Sequence, residues 1–427
     1  MRTLTISSAE ILPRRSCGLA TEPGSMSQRS CVYFGTRYVL GPIKEAVHIV
    51  HGAVGCSYYG KMVRGTPAPV WTTDMQEHDV IFGAREKLKK ALLEAFSLDP
   101  SAQGAFVYIT CVSGLIGEDV TSIAEEVSKE TGKPVKVVSC PGFSAYSQSK
   151  GHSLAYQVIF DMLKHSPSAK KPTVNLIGEY NVGGETKVIK ELLAELGVKV
   201  HVSLTGDASW SRIEKMTCAH LNLMFCGATA EDFCKKVKKA YGIPYMKVSF
   251  YGLKSIAASL RKIAAYFDLP EKHIEKVIAE KEAEVLEKIF PLRRHFVGKK
   301  ALVVLGAYRI GPQGKMLKEL GFEVLAAASI FGRGEDHEEA KEIAPLVTDN
   351  PGDAELEEAL WLLKPDIVLT NAREQWRIVK LGVPVLSFPQ PKDRGPYAGY
   401  VGMANFARDI YRHLKAPVWN LLHGEPL

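Results

Sequence analysis

AFVYITCVSGLIGEDVTSIAEEVSKETGKPVKVVSC, residues 105–140, holds two apolar runs of strand length joined by an amphipathic segment. AFVYITC (105–111) and PVKVVSC (134–140) are rich in β-branched and aromatic residues, with Lys136 their single charge, as in strands covered on both faces. From about Thr121 to Glu130 the apolar residues recur at helical spacing. A helix that returns the chain to a parallel neighbour is the βαβ unit of a doubly wound sheet.

Working outward, the same grammar recurs twice. TVNLIGEY (173–180), VKVHVSL (198–204), LNLMFC (221–226) and IPYMKVSF (243–250) form a second set of apolar runs with helical patterns between them. KALVVLG (300–306), FEVLAAAS (322–329), PDIVLTN (365–371) and VPVLSF (383–388) form a third. The polar stretch HSPSAKKP (165–172) reads as a linker, and residues 270–299 as a long charged helix and a bridge. The expected architecture is α/β: three doubly wound, Rossmann-like domains spanning 1–168, 169–298 and 299–427 around a shared cleft, without low-complexity or short-period repeats. Ligands of open parallel sheets collect at the carboxyl ends of strands, and Cys111, Cys226 and the glycine turn GAYRIG (306–311) fall there.

The chain has 427 residues, 46% hydrophobic and 24% charged, which is ordinary globular usage with room for large cores. No apolar run of about eighteen residues exists, which excludes a helical membrane span. Arg14 and Arg15 have no apolar region after them, so the N-terminus does not read as an export signal. Eight cysteines are then expected in a reducing, cytoplasmic compartment, ligating metal or buried rather than bridged. The formal charge of +7 is spread along helical segments such as 85–90 and 235–239, which reads as solvated helix faces rather than a nucleic-acid surface.

Upstream, RSCVYFGTRYVLGPIKEAVHIVHGAVGCSYYGKMVR (29–64) has Cys31 and Cys56 near expected turns, with Gly35, Gly41, Pro42, Gly52 and Gly55 between them. Cys111 likewise follows an apolar run. The separations of 25 and 55 residues match no local zinc or ferredoxin spacing, and cysteine alone reads equally as a small buried hydrophobe. The surrounding text decides between them. GPIKEAVHIVHGAVGC (41–56) resembles the cluster-binding segment of α-type chains of the nitrogenase component 1 superfamily, which includes the nitrogenase α subunit, the NifE scaffold and nitrogenase-like reductases. The likeness continues through TTDMQEHDVIFG (72–83), CVSGLIGEDV (111–120), SQSKGH (147–152), NLIGEYNVGGE (175–185) and GPYAGYVGM (395–403).

The resemblance implies that Cys31, Cys56 and Cys111 bind one half of a P-cluster-type iron–sulfur cluster. A β-type subunit would complete that cluster in an α2β2 heterotetramer served by an ATP-dependent iron protein reductase. It implies that Cys226 holds a nitrogenase-type iron–sulfur cofactor, that Gln148 and His152 face it, and that Arg64 and Arg309 hold its negative charge. Cys17, Cys140, Cys218 and Cys234 are expected to be structural. Two departures stand out: Pro389 occupies the register of a histidine that ligates the cofactor's terminal metal, and Arg373 that of a lysine near its organic acid. The catalytic pair at Gln148 and His152 points to a nitrogenase-like reductase, methylthio-alkane reductase first, acting on a small molecule. The absence of the histidine points to a NifE-like scaffold.

Overall fold

Thirteen strands among the described residues form three sheets. The computed structural model describes residues 31–62, 69–144, 148–330, 334–349, 351–371, 375–388 and 394–419. The first sheet comprises β1 (Ala46–His51), β2 (Trp71–Thr72), β3 (Gly104–Ile109) and β4 (Val135–Ser139), in the order β2-β1-β3-β4. The second comprises β5 (Thr173–Glu179), β6 (Lys199–Thr205), β7 (Leu221–Met224) and β8 (Tyr245–Lys247), in the order β6-β5-β7-β8. The third comprises β9 (Lys300–Gly306), β10 (Glu323–Ile330), β11 (Leu346–Asp349), β12 (Ile367–Asn371) and β13 (Val385–Phe388), in the order β11-β10-β9-β12-β13. Every ladder is parallel.

Each order reverses direction once, between β1 and β3, between β5 and β7, and between β9 and β12. At such a point the crossover helices leave on opposite faces and open a crevice beyond the strand ends. The residues leaving these strands are Cys56 after β1, Cys111 after β3, Cys226 after β7 and Arg309 after β9. The sheets are packed into one another. One apolar core runs from Val174 and Leu223 of the second sheet to Val303 and Leu386 of the third, and another joins Val50 and Tyr108 of the first to Ile177 and Val202 of the second. No helix among the described residues is long and apolar enough to cross a membrane.

Three local readings change. AVHIVH (46–51), in the glycine-punctuated segment, is the central strand β1, because His48 and His51 are buried with hydrogen-bond partners on both ring nitrogens. Arg309 sits in the first turn of the helix Ala307–Leu320, not in a turn, with Gly306 as its N-cap. Cys56 lies inside the helix Val54–Met62, while Cys31 caps the helix Val32–Leu40 and Cys111 opens the helix Cys111–Ile116. The three cysteines thus sit at helix starts, where the positive end of the helix dipole favours a thiolate.

Candidate functional site

Cys31 and Cys111 flank one glycine. A β-carbon built on Gly142 would lie 3.2 Å from Cys111 Sγ and 3.9 Å from Cys31 Sγ. The Gly142 N–H donates to Cys111 Sγ at 3.1 Å, and Phe34 N–H donates to Cys31 Sγ at 3.4 Å. Cys56 belongs to the same group. Burial raises its thiol pKa, the Thr110 hydroxyl opposes this, and the neighbouring Cys111 and Cys31 sulfurs add to it. The turn carrying Cys111 is fixed to the end of β1, where the carbonyl of His51 accepts from Ser113 Oγ at 2.7 Å and from Thr110 Oγ1 at 3.1 Å. His51 is itself tied by Nε2 to Glu118 at 2.6 Å.

The second group lies where the three sheets meet. Cys226, 2% exposed, is the N-cap residue of the helix Gly227–Tyr241, and burial pushes its thiol up to about 11. The ring of Tyr308 packs on it. Tyr180 joins this region to the helix Gln148–Phe160: its ring centroid is 6.2 Å from that of Tyr308, 6.2 Å from that of His152 and 5.0 Å from that of Tyr38. Tyr38 stands 5.7 Å from the buried His152, and Gln148 is one helical turn earlier. Arg309 enters from the third sheet, its guanidinium 5.3 Å from the ring centroid of Phe388 and 5.5 Å from that of Tyr308. Its Nη2 donates to Glu185 Oε1 at 3.5 Å, while its Nη1 has no hydrogen-bond partner among the described residues. Gln313, one turn further along the helix, is fully buried with neither amide atom satisfied. A run of aromatic rings, Tyr180 and Tyr308, therefore connects His152 to Arg309 and to the cluster of Cys226. Arg64, Arg373 and Pro389 lie outside the described residues.

A carboxylate pair escaped the sequence reading. Glu179 and Glu185 are both fully buried. Glu179 accepts from the Tyr308 hydroxyl, from Tyr251 Oη at 3.5 Å and from Asn181 N–H at 2.7 Å, and Glu185 accepts from Gly183 N–H at 2.6 Å. Burial, then the charge of Glu185, raises the Glu179 pKa from 4.5 to about 7, against the hydrogen bond from Tyr308 and the charge of Arg309. A carboxyl group with a higher pKa in the fold than in the unfolded chain contributes stability that is whole below pH 4.5 and lost as pH rises through about 7. Glu179→Gln is expected to flatten this dependence, on the order of 1 to 3 kcal/mol across that window. Thermal midpoints of the two proteins measured between pH 4.5 and 8 check it: parallel profiles would refute the assignment.

The description of nitrogenase component 1 type oxidoreductases matches residues 31–415. The nitrogenase molybdenum-iron protein alpha chain of Methanothermococcus thermolithotrophicus is 37% identical, with 96% of this chain and 91% of that one covered. The nitrogenase iron-molybdenum cofactor biosynthesis protein NifE of Methanococcus maripaludis is 32% identical, with 95% and 87% covered. The solved structure of nitrogenase Cp1 at pH 5 superposes with a TM-score of 0.88 at 31% identity, over 95% of this chain and 92% of the other. Sequence and fold agree over nearly the whole length, so this chain belongs to the nitrogenase component 1 type oxidoreductase family.

Proposed function

We propose that this chain is the α-type catalytic subunit of a cytoplasmic nitrogenase-like reductase, paired with a β-type subunit in an α2β2 heterotetramer and supplied with electrons by an ATP-dependent iron protein. The observation that carries this reading is that the rings of Tyr180 and Tyr308 join His152, Arg309 and the Cys226 cluster, which we read as the wall of a cofactor chamber, with a separate thiol group at Cys31, Cys56 and Cys111.

The residues present fit two iron–sulfur groups. Cys31 and Cys111 flank Gly142 with Cys56 beside them, and thiolates from separate helix starts suit the edge of a polynuclear cluster that a second subunit completes. Gly142 lets backbone approach Cys111 and gives its sulfur an N–H donor, the interaction that tunes thiolate-bound clusters. In the chamber, the unsatisfied Arg309 Nη1 and Gln313 amide ask for an anionic acceptor. Iron–sulfur groups supply one-electron transfer and low-potential reduction when bound.

Around the thiol group the surface is apolar. Val54 and Tyr58 on the helix of Cys56, Leu115 on the helix of Cys111, and Phe143 beside Gly142 are exposed, and so are Ile81 and Phe82 nearby in sequence to β2. A patch of this kind, carried by the same elements as three incomplete ligands, suits a permanent partner subunit. In the chamber, Arg309 binds negative charge, the aromatic walls exclude water, and His152 holds and delivers a proton to the bound substrate. A methylthio-alkane is the first substrate to try.

The second reading is a NifE-like scaffold that holds a cofactor precursor and passes it on. The NifE relative and Pro389, in place of the metal-ligating histidine, favour it. The anaerobic complex with its iron protein separates the two: ATP-dependent substrate reduction supports the enzyme, and release of cofactor to an acceptor without turnover supports the scaffold. His152→Ala is expected to lower turnover about a hundredfold while iron content stays near wild type. Loss of all iron in this variant would make His152 a ligand or a prop instead.

A further inference from the structure

Six residues after Cys31, the same helix carries a guanidinium in the protein interior. Arg37 is 1% exposed. Its Nη1 donates to Tyr108 Oη at 3.2 Å, its guanidinium carbon stands 5.1 Å from the centroid of that ring, and its Nε has no hydrogen-bond partner among the described residues. No carboxylate among the described residues pairs with it. Tyr108 Oη in turn meets His48 Nδ1 at 2.8 Å, and His48 Nε2 meets the carbonyl of Ile43 at 3.1 Å. The carbonyl can only accept, so Nε2 carries the proton and Nδ1 accepts from the tyrosine. The chain of donors therefore runs from Arg37 through Tyr108 to a neutral His48. Burial and then the Arg37 charge hold that imidazole down to about 3, so it offers no opposing charge. A guanidinium cannot shed its proton, and a buried cation without a counter-ion is strongly disfavoured.

Tyr108, on which Arg37 lies, shares one core cluster with Tyr33 and Cys140, and Cys31 and Cys56 pack against that cluster. Arg37 lies within electrostatic reach of Cys140 and of Tyr33. Cys140 is in turn within reach of Cys31 and Cys111, and Tyr33 of Cys56. Arg37 thus stands one layer of side chains behind the thiol group, with Tyr33 and Cys140 between.

We propose that Arg37 is the built-in counter-charge of the group bound at Cys31, Cys56 and Cys111, a fixed cation that favours the reduced state and raises its reduction potential. This rests on the reading of those three cysteines as cluster ligands. Each thiolate adds negative charge, reduction adds another, and a water-excluded cation nearby offsets both with little screening. Arg37 acts here as a positioning and field-setting residue, not through contact with substrate.

The test uses the anaerobically purified complex of this chain with its partner subunit, measuring iron per chain and the cluster midpoint potential by spectroscopically monitored redox titration. Arg37→Met and Arg37→Gln remove the charge; Arg37→Lys keeps it. The neutral variants are expected to retain iron and to hold about tenfold less reduced cluster at a fixed potential, about 59 mV lower for a one-electron step. Arg37→Lys is expected to stay near wild type. Loss of iron in both neutral variants with retention in Arg37→Lys also supports the assignment. Unmoved midpoints in both neutral variants, equal shifts in all three, or loss of iron in all three overturn it. A wild-type complex without iron overturns the cluster reading and this inference together, whereas iron-loaded proteins with unmoved midpoints overturn only the latter.

Discussion

Cys111→Ala is expected to strip the complex of the iron shared between subunits and to lower turnover at least about a hundredfold, leaving this chain folded. The reasoning begins with what the substitution does not disturb. Alanine suits the first turn of the helix Cys111–Ile116, and the turn is held by bonds that bypass the thiol, from Thr110 and Ser113 to the carbonyl of His51. What is lost is the sulfur that faces Gly142 beside Cys31, one of the three ligands proposed for this chain. Two companions make the result specific. Cys226→Ala is expected to abolish turnover while the shared iron remains, because Cys226 belongs to the other chamber. Cys140→Ala, at a fully buried thiol, is expected to cost about 1 to 3 kcal/mol of stability and leave iron unchanged. Iron per chain, turnover and the thermal midpoint of each variant check all three. Full shared iron in Cys111→Ala would remove that cysteine from the ligand set.

How much of this could be read beforehand follows from the kinds of force involved. AFVYITC and TVNLIGEY declared themselves as strands because a parallel strand covered on both faces is mostly apolar; β3 is, and β5 is buried at every residue with Asn175 and Glu179 among its polar exceptions. AVHIVH did not, because its alternating histidines look like a solvated face until the partners of His48 and His51 are known. β11, LVTD, is a four-residue edge strand with too few residues to show a period. GAYRIG looked like a turn because glycine breaks helices. Here Gly311 and Gly314 instead let the helix Ala307–Leu320 approach the helix Gly334–Ile343: a β-carbon on Gly311 would lie 2.5 Å from Glu339 Oε2, and one on Gly314 2.1 Å from Ile343 Cδ1. Cys31, Cys56, Cys111, Cys226 and His152 are singled out through the resemblance of the text around them, because a lone cysteine or histidine reads equally as a buried core residue. Arg37, Glu179 and Glu185 were not, since charged residues are ordinarily exposed and only tertiary packing shows these three inside.

Gly151→Ala is expected to be severely damaging for a change of one methyl group. The helices Val32–Leu40 and Gln148–Phe160 meet backbone to backbone: a β-carbon on Gly151 would lie 2.1 Å from the carbonyl oxygen of Val32, and one on Gly35 2.0 Å from that of Gln148. Neither obstacle is a side chain that can rotate away. The helices must separate, at about 1 to 3 kcal/mol for overpacking of this kind, although alanine is the better helix former by about 1 kcal/mol. The consequence reaches both sites, because this crossing joins them. Val32 directly follows Cys31, whose sulfur faces Gly142, and Gly151 directly precedes His152, which faces Tyr38 and Tyr180. Thr36 Oγ1, bonded to the carbonyls of Val32 at 3.0 Å and Gly151 at 3.3 Å, loses its second acceptor when the helices part. The expected result is a lower thermal midpoint together with reduced iron occupancy and turnover, unlike His152→Ala, which should spare the first two. A Gly151→Ala complex with wild-type midpoint, iron and turnover would mean that the crossing yields without moving either end. The two sites would then not be mechanically joined through it.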